Sequence, residues 1–177
     1  MQWRKPEMDE FHSYYEGYIG LVPEGDLRVL LENRLTEAER LYGAIREQDG
    51  LYAYAPGKWT VKQLLGHLTD TERVMGYRLL CALRGDTVTL PGFDQDDYVR
   101  SAESDRQPLD RLLSGFLAVR RTTLALVEEA PGPAWDNRIE VNGNPITARA
   151  LAYIIAGHEI HHSRVLQERY GEVLGRG

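Results

Sequence analysis

Four long stretches of 3.6-residue hydrophobic periodicity, parted by Gly, Pro and Asn, limit this chain more than any other feature. A chain built this way must bury four apolar stripes against one another, so the sequence predicts an all-α four-helix bundle. The first stretch covers about residues 26–48. Asp26 is placed to accept from the first free backbone N–H groups, and Leu27, Leu30, Leu31, Ala38, Leu41 and Ile45 form its stripe. The second covers 60–84, opened by Thr60 and Gln63 as a reciprocal cap and closed by Gly85. The third starts at Pro108, whose missing N–H costs nothing at a helix start, and ends before Pro131. The fourth runs from a Thr147 cap to about Tyr170, with Gly171 after it.

The connections at 86–107 and 130–146 are too long for tight turns. They are expected to cross the bundle from end to end, which excludes a simple up-down-up-down order. Ile139-Glu140-Val141 ahead of Asn142-Gly143 hints at a short hairpin in the second connection. The first twenty-five residues, with Tyr14, Tyr15 and Tyr18, read as a partly helical strap over the bundle. A single domain over 1–177 is expected, large enough to form a core without disulfides or structural metal.

The function classes narrow by composition. A net charge of −6 with no Lys/Arg-rich stretch argues against nucleic acid. No apolar run is long enough to cross a membrane, and the N-terminus carries no secretory stretch, so a cytoplasmic protein is expected. The lone Cys81 removes any Cys-rich zinc framework and leaves histidine and carboxylate as ligands.

On a helical wheel, His158 and His162 fall in the middle of the fourth stripe, among Leu151, Ile154, Ile155, Val165 and Leu166. Burying an imidazole costs roughly 1–3 kcal/mol unless its nitrogens find partners. The i, i+4 spacing stacks both rings on one side, which suits two ligands of one ion. His67 lies at the edge of the second stripe and can look toward a neighbouring helix. Three neutral imidazoles leave a metal with open positions, as in a catalytic site. The ion expected is one divalent transition metal, with Zn, Ni and Fe all compatible with imidazole.

Glu72 falls in the centre of the second stripe and needs a buried partner: a ligand histidine's N–H, or an arginine from another helix. His161, roughly 60° off the fourth stripe, reads as a group behind the ligands or facing substrate. His12 carries no signal. His158-Glu159-Ile160-His161-His162 also satisfies H-E-x-x-H, but Val165 and Glu168 occupy the places of the extended zinc-peptidase glycine and third histidine, so Glu159 is not expected to be a general base. Asp94, Asp96 and Asp97 lack the glycine of a calcium loop and read as turn-formers.

Gly57-Lys58-Trp59-Thr60-Val61-Lys62-Gln63-Leu64-Leu65-Gly66-His67-Leu68 with Asp70-Thr71-Glu72-Arg73, Leu90-Pro91-Gly92-Phe93-Asp94-Gln95, and Ala156-Gly157-His158-Glu159-Ile160-His161-His162 together resemble the DinB/YfiT-like superfamily. The resemblance implies a four-helix bundle with crossover connections, a divalent metal on His67, His158 and His162, and a homodimer. It further implies a small-molecule substrate, with a thiol-dependent S-transferase using a low-molecular-weight thiol of the bacillithiol, mycothiol or glutathione type as the first expectation. A metal-dependent hydrolase and a metal-binding protein without turnover are the alternatives, because imidazole ligands do not choose between thiol and water.

Overall fold

Each predicted helix start is present in the structure, a computed structural model that describes residues 3–174. Helix α1 (Glu16–Leu21) is a short helix within the N-terminal strap. The bundle is made by α2 (Leu27–Gly43), α3 (Val61–Leu83), α5 (Leu109–Glu129) and α6 (Ala148–Arg169). Asp26 accepts from the backbone N–H groups of Arg28 and Val29. Thr60 and Gln63 form the expected reciprocal cap of α3, and Thr147 accepts from Ala150 N at the start of α6. These caps satisfy backbone donors that a helix start otherwise leaves free.

Helix α3 packs mainly on α5 and α6, and α2 packs on the same two helices. The consecutive pairs α2/α3 and α5/α6 therefore sit across the diagonals, which is why long connections are needed after α2, α3 and α5. Two apolar clusters fill the interior. One gathers Leu41, Tyr42, Leu65, Phe116 and Leu166 toward one end; the other gathers Leu31, Leu79, Trp135, Leu151 and Ile155 toward the other.

Two features depart from expectation, the end of α2 and the content of the connection 86–107, and a third agrees with it. Helix α2 ends at Gly43 rather than near residue 48, because Glu47 is drawn away: its carboxylate accepts from Leu109 N at the start of α5 and from Lys62 Nζ. The connection 86–107 holds strand β1 (Thr89–Leu90) and helix α4 (Gln95–Ala102), with Asp94 as the N-cap accepting from Asp96 N and Asp97 N. The hinted hairpin is real: β2 (Arg138–Val141) and β3 (Asn144–Thr147) pair antiparallel, Ile139 opposite Ile146, around Asn142 and Gly143, both at positive φ as a tight two-residue hairpin turn requires. Strand β1 joins β2 in parallel, Leu90 beside Val141, giving a three-stranded sheet at one end of the bundle. Among the described residues no helix is long and apolar enough to cross a membrane.

The strap is held at several points, Arg138 donating to Asp9 and Trp3 packing on Trp135 among them. Glu10, buried, accepts from Arg4 Nη1, Thr147 Oγ1 and Arg149 Nη1. Further along, the Tyr18 carbonyl lies so close to Gly157 that a Cβ there would stand 2.0 Å from its oxygen. Only glycine lets α1 rest directly on α6 at that point.

Candidate metal centre

His67 projects from α3 and His158 and His162 from successive turns of α6, two helices in direct contact. All three are buried, at 4%, 8% and 9% exposure. Their Nε2 atoms converge: 3.0 Å separates His67 from His158, and 3.1 Å separates His158 from His162. Among the described residues this is the group of three or more His, Cys, Asp or Glu side chains whose ligand atoms share one point.

Burial, reinforced by the neighbouring rings, lowers the affinity of each ring for a proton. His67 is pushed down to about 4, His162 to about 2, and His158 well below its ordinary range. The rings are thus neutral at pH 7, the form that ligates metal. Hydrogen bonding alone accounts poorly for the cluster. His158 Nε2 has one site to offer and two close nitrogens, and His162 Nδ1 is buried without a partner. An ion accounts for the convergence directly: nitrogens bound at about 2.1 Å and roughly at right angles stand about 3.0 Å apart. With Nε2 as ligand atom, His67 Nδ1 carries the proton and faces Thr71 Oγ1 at 3.5 Å. The buried triad is consistent with a metal site.

This predicts acid sensitivity of the metal-free protein. The unfolded chain protonates these histidines near 6.5 whereas the folded chain does not, so below 6.5 the unfolded state binds more protons and stability falls with pH. For His67 the loss runs from about 6.5 to about 4, and for the other two it continues lower. The unfolding midpoint of chelated protein should drop by roughly 10 °C between pH 7 and pH 5. His158→Leu should flatten that slope; equal slopes for the two proteins would show that the native rings take up protons.

The surrounding residues divide clearly. Trp59 packs its ring 4.6 Å from that of His67, and Tyr18 lies 5.3 Å from His158 and 5.4 Å from His161. His161 is half-buried, outside the converging trio. Of the two partners open to Glu72, the structure gives it the arginine: Arg120 on α5 donates to it through Nε at 2.7 Å and Nη2 at 2.8 Å. Among the described residues Glu72 makes no hydrogen bond to a ligand imidazole. The reason is tertiary: α5 faces that part of α3 and brings the guanidinium to it. Glu159 is likewise held by an arginine, accepting from Arg34 Nε (2.6 Å) and Nη2 (2.9 Å) and from Ser163 Oγ (2.6 Å), so it ties α6 to α2.

His67 and His158 line a cavity of about 560 Å³, roofed by Tyr14, Tyr15 and Tyr18 and walled by Phe93, Ile146 and Ile154. It has the size of a small-molecule site. Sequence reasoning missed Arg78, which also lines it. The signal was present: Arg78 stands eleven residues after His67, three helical turns, and so on the same face of α3.

Comparison with known proteins gives the following likenesses. Residues 30–166 match the family model described as the DinB superfamily. A protein of Oceanobacillus iheyensis, named as a candidate metal-dependent hydrolase, is 25% identical over 132 residues, 73% of each chain. Among solved structures, YfiT from Bacillus subtilis, described as a candidate metal-dependent hydrolase with an unusual four-helix bundle topology, superposes with a TM-score of 0.68. It is 18% identical, covering 95% of this chain and 94% of that one. A mycothiol-dependent maleylpyruvate isomerase superposes with a TM-score of 0.66 at 14% identity, covering 89% of this chain and 62% of that one. At these identities the solved structures speak for the fold alone.

Proposed function

The chain belongs to the DinB superfamily, and from that premise we propose that it is a metal-dependent hydrolase of small molecules, with His67, His158 and His162 holding one divalent transition-metal ion. The observation that carries the reading is the convergence of three neutral, buried Nε2 atoms, two of them on rings that line a cavity of small-molecule size. When bound there, a divalent ion supplies Lewis acidity and lowers the pKa of water toward neutrality. The protein's own part is to hold the three nitrogens in place, keep them unprotonated and surround the reacting carbon with apolar walls. No free carboxylate beside the trio offers itself as a general base, since Glu72 and Glu159 are each held by an arginine. The hydrolase stands ahead of the S-transferase expected from the sequence because the name of the Oceanobacillus relative and the description of YfiT both point that way.

Thiol transfer is the second reading, favoured by the fold likeness to the mycothiol-dependent isomerase. One experiment separates them. Protein loaded with Zn, Ni or Fe(II) is incubated with a panel of esters and amides, with and without bacillithiol, mycothiol and glutathione, beside a His67→Ala control. Release of free acid that needs the ion and no thiol is the expected result. Conjugate formation that requires a thiol would establish the transferase, and a loaded protein inert in every arm would leave an ion-binding protein without turnover.

A further inference from the structure

The buried and half-buried guanidinium groups among the described residues differ in one respect. Arg120 is paired with Glu72, Arg149 with Glu10 and Asp136, and the half-buried Arg34 with Glu159. Arg78 is 3% exposed, yet among the described residues no carboxylate pairs with it. Its Nη2 donates to the Pro91 carbonyl at 2.7 Å, its Nη1 makes a weak 3.5 Å contact with Met75 Sδ, and its plane lies over Phe93 at 5.7 Å. It is also hydrogen-bonded to the Tyr15 side chain, and Tyr98 is a further polar neighbour. A guanidinium has five N–H donors, so at least two are left over. A charge taken out of water without a counter-ion is costly, and such a charge is normally met by an anion.

The place of Arg78 says where that anion comes from. It lines the same cavity as His67 and His158, together with Tyr15 and Phe93. The acidic residues that also reach the cavity, Asp94 and Asp96, are both exposed to solvent and neither pairs with Arg78; Asp94 instead caps α4 through Oδ1.

We propose that Arg78 is the anion-binding residue of the cavity, receiving a carboxylate or phosphate group of the substrate on its free N–H fork while the apolar body of the molecule lies toward Phe93, Ile154 and the three imidazoles. The planar fork suits either oxyanion, and it makes the substrate an acidic small molecule instead of a neutral one. This inference rests on the cavity being the substrate site, as the hydrolase reading has it.

The test uses metal-free protein, so that an acid cannot be held by the ion. Titration calorimetry compares 3-phenylpropionate, its neutral amide 3-phenylpropanamide, and phenyl phosphate. The expected result is that at least one of the two anions binds about tenfold or more tighter than the amide. Whichever of the two binds more tightly assigns the group as carboxylate or phosphate. Arg78→Met should abolish the preference, and Arg78→Lys, which keeps the charge but not the fork, should retain part of it. Circular dichroism and unfolding midpoints verify that both variants are folded; if Arg78→Met is not, the Arg78→Lys result decides. Equal binding of acid and amide by the wild type, or a preference unchanged in the folded variants, overturns the proposal. Failure of metal-dependent hydrolysis with the anion preference intact would sink the hydrolase reading and leave this one standing.

Discussion

Replacing His158 by alanine is expected to abolish stoichiometric metal binding, from one ion per chain to essentially none, with affinity falling by a factor on the order of 10³, about 4 kcal/mol. His158 is the hub of the trio, its Nε2 being 3.0 Å from that of His67 and 3.1 Å from that of His162, so its loss breaks both close pairs at once. The helical circular dichroism should survive, because each helix of the bundle is anchored by apolar side chains well away from the trio. His161→Ala is the matched control: it removes a neighbouring imidazole that lies outside the converging group and should leave stoichiometry unchanged. Elemental analysis after reconstitution and titration of the chelated protein measure both variants. Full occupancy in His158→Ala would place the ion elsewhere.

The second large effect concerns Glu72 and Arg120. Arg120 is fully buried, and Glu72 is its bidentate partner. Glu72→Ala strands a guanidinium in the core, and breaking a buried pair in this way costs about 3–5 kcal/mol. In a chain of this size that corresponds to a fall of roughly 10 °C in the unfolding midpoint. The double variant Glu72→Leu/Arg120→Met removes both charges and should recover most of the loss, since well-packed apolar replacements of a buried pair are often neutral. The pair of measurements also separates the two roles open to Glu72. With stability restored, metal affinity in the double variant should equal that of the wild type; a weaker site would mean that the carboxylate orients a ligand after all.

The helix starts were legible because caps are local: Asp26, Thr60 with Gln63, and Thr147 act on backbone groups two or three residues away. The histidine cluster was legible for a related reason. Two imidazoles in the middle of an apolar stripe contradict their surroundings, and the contradiction itself marks the site. What escaped depended on partners far along the chain. Helix α2 stops early because Glu47 bonds to Leu109, 62 residues away. Strand β1 is two residues long and exists through its pairing with Glu140 and Val141. The choice of Arg120 for Glu72 depends on which helix faces α3. Arg78 escaped because a long basic side chain on a stripe usually reaches outward to water, and the turn at Pro91 that holds it inside has no signature near position 78.

The anchoring of the strap bears on how the cavity is assembled. Its roof, Tyr14 to Tyr18, and its floor, His158, belong to opposite ends of the described chain. The bonds that bring them together join Glu10 to Thr147 and Arg149, separated by 137 and 139 residues. Contacts so distant in sequence close late, after the local helices have formed, because the ordering of the intervening chain must come first. On a ribosome the strap emerges long before α6 and has no surface to lie on until Gly157 has been synthesised. The tyrosines then wait, exposed, for the helix that carries two of the three histidines. Helix content and closure of the cavity are therefore separate milestones for this chain, and the second comes only when the strap has met α6.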